Sequence, residues 1–162
     1  MKKLLLLLVS ILLAVGLSSC ASVPMPEVTQ GEFPFEIVYE KNGESITVSD
    51  VYVCELEGVE WNENVGKHRQ WKGYVKSTGE GSVVLHTDGD VRITCNVGTA
   101  AYYMSDPLGP DIDEITPTVQ RVQTFASGGV SAMALDADAL LEQYGIRLVS
   151  WEFSSPIENT YK

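Results

Sequence analysis

Three cysteines, two histidines and two clusters of charged residues hold most of the chemistry open to this chain of 162 residues. The thiols are Cys20, Cys54 and Cys95. They form no CxxC pair and have no histidine cluster near them, so the ligand spacing of structural zinc and of dithiol redox sites is missing. His68 lies in the basic stretch Lys67-His68-Arg69, where a solvated side chain is the plain reading. His86 follows Val83-Val84-Leu85 on the side of Val84, where a half-buried, hydrogen-bonded imidazole is expected. Catalysis there would need a nucleophile or acid brought in from elsewhere in the fold. No serine has the G-x-S-x-G surroundings of a nucleophile elbow, and Ser127-Gly128-Gly129 has the composition of a turn. No catalytic residue is assigned; a hydrolase using His86 or acids of the 106–114 loop is the enzymatic alternative.

That loop is the first charged cluster. Asp106, Asp111, Asp113 and Glu114 present hard oxygen donors of the kind calcium takes, but their spacing does not follow the twelve-residue EF-hand pattern. Acids in loops serve solubility far more often than metal binding, so neither a metal nor a cofactor is assigned, and calcium is the ion the loop would suit. The second cluster runs from Lys67 to Lys76, with basic residues interleaved with Trp71 and Tyr74. Trp71, Lys72 and Tyr74 would make a surface for an anionic polymer or a sugar. The plainer account pairs the basic residues with Glu55, Glu57, Glu60 and Glu63 across an antiparallel ladder, each facing pair contributing about 0.2–1 kcal/mol.

The remaining thiol belongs to the start of the chain. Lys2 and Lys3 precede an apolar run from Leu4 to Leu17 broken only by Ser10 and Gly16, the layout of a secretory signal. As a helix the run would span roughly 21 Å, short of the ~30 Å hydrocarbon core of a bilayer. It ends Leu17-Ser18-Ser19-Cys20, which resembles the lipobox of bacterial lipoproteins. The resemblance covers residues 1–20 and implies cleavage before Cys20 and attachment of diacylglycerol, with acyl chains such as palmitate, to its thiol. Two acyl chains anchor stably where one binds reversibly. Ala21 is not aspartate, which in a cell with two membranes implies the outer one; otherwise the cell membrane is the expected site.

Residues 1–19 are thus expected to be a signal peptide, 20–32 a lipidated tether rich in proline, and 33–162 a single extracytoplasmic domain. About 140 residues suffice for one domain with a sizeable core. The whole chain carries a net charge of −11, and loss of Lys2 and Lys3 makes the remainder more acidic still. Such a charge disfavours nucleic acid and anionic lipid as partners. Outside the cytoplasm Cys54 and Cys95 are expected to form a disulfide, stabilising by roughly 4 kcal/mol on the chain-entropy model; two buried reduced thiols are the alternative.

The elements that must position these residues read as strands. Phe35–Tyr39 alternates, Asn42-Gly43 is a type I′ turn, and Ser45 to Leu56 returns. Gly58 to Gly66 reads as a polar connection, Gln70–Lys76 and Ser82–Thr87 as strands, and Asp88-Gly89 as a second turn into Val91–Val97. Ala100–Met104 suggests a short edge strand. Thr118–Ala126 fits helix or strand, and Gly128-Gly129 before Val130 favours a hairpin. Asp136 as N-cap and Gly145 as stop define one helix over about 136–144. A last strand, Ile146–Phe153, is expected to be buried on part of both faces, with Trp151, Tyr102 and Tyr103 in the core. Seven or eight short antiparallel strands with one C-terminal helix make a mainly β fold, a small sandwich or open barrel.

One further resemblance bears on function. Tyr52-Val53-Cys54 with Gly58, and Gly98-Thr99-Ala100-Ala101-Tyr102, are similar to segments of the lipoprotein inhibitors of C-type lysozyme, which are small membrane-anchored β domains. That similarity covers these segments alone and implies inhibition of a cell-wall-degrading enzyme through a loop protruding around 98–106. The leading expectation is a non-enzymatic binding or interaction module, anchored in a membrane by lipid, with a protein or glycan partner.

Overall fold

The computed structural model describes residues 22–110 and 112–162; the signal segment, Cys20 and Asp111 lie outside them. Strand β1 (Gln30–Lys41) turns Phe33, Phe35, Ile37 and Tyr39 inward and Glu32, Pro34 and Glu36 outward, the period-two pattern of a half-buried strand. Asn42 and Gly43, at φ 52° and 85°, supply the two left-handed positions of a type I′ turn. The chain returns as β2 (Glu44–Asn62), in register from Lys41↔Glu44 to Gln30↔Glu55. The segment after Gly58, expected to be a connection, stays in the ladder instead. A bulge between Leu56 and Gly58 resets the register, and Val59, Glu60 and Trp61 then pair with Arg69, His68 and Lys67 of β3 (Gly66–Val75).

Strands β4 (Val83–Asp88) and β5 (Val91–Asn96) form the expected hairpin around Asp88-Gly89. Ala100–Met104 is not an edge strand. Ala100–Tyr103 is a one-turn helix, α1, started by the Thr99 hydroxyl, which accepts the Tyr102 N–H at 3.3 Å. Two alanines behind a threonine cap favour helix, and Tyr103 is pulled fully into the core. Strands β6 (Thr118–Thr124) and β7 (Val130–Leu135) make the hairpin that the glycine pair favoured. Helix α2 (Ala137–Tyr144) begins where Asp136 accepts the Ala139 N–H at 2.8 Å and stops at left-handed Gly145. It leads into β8 (Ile146–Phe153).

The eight strands form two antiparallel sheets, ordered β3-β2-β1-β8 and β4-β5-β6-β7. Their inner faces meet in one core. Phe33, Ile37, Tyr52 and Val75 come from the first sheet, Leu85, Ile93 and Val119 from the second, and Tyr103 and Met104 plug one end. The fold is mainly β, as expected, with the C-terminal helix in place.

Two expectations about the ends need correction. Among the described residues β8 pairs with β1 alone, and of its eight residues only Ile146 is buried; Trp151, with no described strand beyond it, is 43 % exposed. The supposed tether is part of the fold from Pro24 onward. Met25 and Lys162 exchange backbone hydrogen bonds at 2.6 and 2.9 Å, Pro26 bridges Tyr161, and β1 begins at Gln30.

Candidate binding site

The residues expected to carry chemistry are dispersed. Nδ1 of His86 accepts from the Lys41 ammonium at 2.6 Å, at the far end of β1. His68 lies on β3 with Nδ1 3.2 Å from the Gly66 carbonyl oxygen. Asp106, in contrast, is held beyond the beginning of β1. Its Oδ2 accepts Arg69 Nε at 2.8 Å and the Trp71 indole N–H at 2.8 Å. Its Oδ1 accepts Arg69 Nη2 and the Leu108 N–H, the latter at 2.8 Å. The paired side chains are 1 % and 3 % exposed. Burial alone would raise the Asp106 carboxyl; the hydrogen bonds from Arg69, Leu108 and Trp71, with the Arg69 charge, outweigh it and leave the group below its ordinary range. Arg69 is pushed the other way, chiefly by that hydrogen bond. Its Nη1 donates to the Pro24 carbonyl oxygen at 2.5 Å, and its plane lies 4.5 Å from the Tyr161 ring centroid.

This clamp takes Asp106 out of the loop's cluster of acids. Both Asp106 oxygens are engaged, Asp111 lies outside the described residues, and Asp113 and Glu114 are exposed in a separate groove. Among the described residues no group of three or more His, Cys, Asp or Glu side chains is placed to hold a metal.

The aromatic surface of β3 also divides. Trp71 turns to the inner side and is engaged by Asp106, whereas the Lys72 ammonium lies 5.4 Å from the Tyr74 ring centroid and the Tyr74 hydroxyl donates to Glu55 at 3.1 Å. Glu55 sits directly opposite Lys72 in the ladder, so this pair fits the ladder account, whereas Glu57 falls in the bulge, Glu60 faces His68, and Arg69 and Lys67 face Val59 and Trp61.

Cys54 and Cys95 are both free and fully buried, on β2 and β5, strands of different sheets. The expected bridge is not formed. Sheets facing one another across a filled core lie about 10 Å apart, whereas a disulfide needs Cα atoms within about 7 Å. Aromatic rings fill the core here: Tyr103 stacks on Phe33 at 4.6 Å and on Tyr52 at 5.5 Å between centroids. Burial pushes each thiol up to about 12.

The segment around 98–106 is likewise turned inward. Tyr103 and Met104 are fully buried and the Tyr103 hydroxyl donates to the Val97 carbonyl at 2.7 Å. It does not form the protruding loop that the lysozyme-inhibitor resemblance implies.

The surface that does combine recognition groups lies along β8. Trp151 separates two clefts. One, of about 350 Å³, is lined by Tyr102, Asp113, Glu114, Glu152 and Ser154. The other, of about 360 Å³, is lined chiefly by apolar side chains including Val119, Leu135, Leu140 and Leu148, with Arg147 at hand. Among the described residues, strand β8 has a hydrogen-bonded neighbour on one side only. An exposed edge, an indole face and three carboxylates can accept an extended chain bearing a cationic group: the edge supplies backbone pairing, the acids and the ring the charge recognition. Trp151 was read as core in the sequence. Nothing local in Ser150-Trp151-Glu152 marks it, because its exposure depends on which strand becomes an edge.

Comparison of the chain with protein-family models, with curated proteins and with solved structures gave no match.

Proposed function

We propose that this chain is a lipoprotein held on a cell-envelope membrane through Cys20, and that its β domain is a non-enzymatic binding module whose ligand surface is the open edge of β8. Exposed Trp151, between an acidic and an apolar cleft, carries the second half of that reading. The lipobox-like Leu17-Ser18-Ser19-Cys20 carries the first. No helix among the described residues is long and apolar enough to cross a membrane.

The ligand that fits is a lysine- or arginine-bearing extended segment of a partner protein. Asp113, Glu114 and Glu152 line the same cleft as Trp151, and the acidic chain as a whole attracts a basic partner over distance. His86 lies against Lys41 and Asp106 against Arg69, which favours the binding reading over the hydrolase alternative.

Each half has its test. Cys20→Ser should move the protein from the membrane fraction to the soluble one; retention equal to wild type sinks the anchor. Trp151→Ala should weaken calorimetric binding of a lysine-rich peptide roughly tenfold or more while leaving the melting temperature unchanged. Unaltered affinity would place the ligand elsewhere.

A further inference from the structure

The Arg69–Asp106 clamp fixes where the lipid must be. Arg69 holds the Pro24 carbonyl, and Met25 and Glu27 pair with Lys162 and Thr160. Three residues, Ala21 to Val23, lie between Cys20 and Pro24, so the four Cα–Cα steps reach at most about 14 Å when fully extended. The clamp is therefore close to the lipid-bearing cysteine, and the pole of the domain that contains it must face the lipid.

That pole carries several exposed apolar side chains. On β3, Lys67, Arg69 and Trp71 share the inner face; opposite them are Trp61 and Val59 beyond the β2 bulge and Leu56 before it. This inner face runs past the core into the β2–β3 hairpin, where Trp61 is 66 % exposed and Val59 is exposed too. Leu108, whose N–H binds the same Asp106 oxygen that Arg69 holds, is 61 % exposed. Met25, next to Pro24, and Val65, in the hairpin turn, are exposed as well. Exposed apolar side chains thus ring the point where the chain leaves for Cys20.

We infer that this pole is a membrane-docking surface, with Trp61 and Leu108 entering the headgroup layer of the bilayer that carries the Cys20 lipid. This rests on the lipoprotein reading above. A tryptophan at the end of an otherwise polar hairpin suits the interface between water and hydrocarbon, where its ring is buried and its N–H stays wet. Glu60 and Glu63 flank Trp61, with Lys67 across the ladder, so the surface suits zwitterionic headgroups and is repelled by anionic ones. Docking there fixes the orientation of the domain and leaves β8, at the opposite edge of the sheet from the hairpin strands, free for a partner.

The test uses the full protein purified from membranes, with intact mass first establishing the diacylglyceryl group on Cys20. The protein is reconstituted in phosphatidylcholine vesicles whose acyl chains are brominated, and tryptophan fluorescence is read. Wild type and Trp151→Phe should both be quenched, Trp61→Phe should lose most of that quenching, and added phosphatidylglycerol should reduce it in all three. Lipidated protein that is not quenched, or Trp61→Phe quenched as strongly as wild type, overturns the docking alone. A mass without lipid overturns the lipoprotein reading and the docking with it.

Discussion

Replacing Asp106 by alanine is the most informative perturbation of this fold. It would leave the Arg69 guanidinium, whose side chain is 1 % exposed, with only the Pro24 carbonyl and the Tyr161 ring for company. Breaking a buried ion pair from one side costs about 3–5 kcal/mol, and the Trp71 N–H loses its acceptor as well. Against a typical total of about 5–15 kcal/mol the loss is severe. At roughly 2–4 °C per kcal/mol for a domain of this size, the melting temperature should fall by about 10–15 °C. Thermal melts followed by far-ultraviolet circular dichroism at pH 7 measure this directly. The pair Arg69→Met with Asp106→Leu should recover most of the loss, because an apolar pair leaves no buried charge behind. The acid limb gives an independent check. The Asp106 carboxyl is lowered in the fold from an ordinary 3.8, so its stabilisation is present above that value and is lost as pH falls through the folded pKa. Asp106→Ala should flatten that part of the acid denaturation profile. A fall of under about 2 °C in Asp106→Ala, too small for a buried charge left alone, would refute the reasoning, as would a double variant no better than the single.

Two more perturbations probe the core. Cys54 and Cys95 should resist iodoacetamide in the native protein and react only after unfolding, since both are fully buried and burial holds each thiol protonated, at about 12; mass spectrometry counts the adducts. The same shifts, with Tyr52 and Tyr161 also raised to about 12, make the unfolded chain release protons first, so stability should decline from about pH 9 upward. Gly73→Ala should cost about 1–3 kcal/mol in urea unfolding, because a Cβ there would overlap the Tyr52 phenol; a neutral result would mean that the ring moves aside without loss.

What could be read from the sequence was local. Asn42-Gly43, Asp88-Gly89, Asp136 and Gly145 announce their turns and caps through side-chain and backbone chemistry that acts within a few residues, and the hairpins and α2 follow. Val59 to Asn62 escaped because a glycine among acids has the composition of a loop; its strand character comes from the partner β3 across the bulge. Ala100–Tyr103 escaped because a single turn is too short to display helical periodicity. Asp106 was visible as one acid in an acidic loop, but its role depends on Arg69, 37 residues away. Trp151 failed for the opposite reason: an apolar strand implies burial only if something covers it, and the sequence does not say which strand becomes an edge.

The sheet order has a temporal meaning. Strands β4 to β7 follow one another in both sequence and space, so the second sheet can pair as it leaves the ribosome. Strand β1 is made first of all, yet one of its two neighbours is β8, the last to be made, and the strap at Met25 waits for Lys162. Until then half of its backbone groups face water and its aromatic row has an unfinished lid. The earliest strand of the domain is thus the last to be completed, and the chain stays loose at the beginning of β1 until its final residues are made.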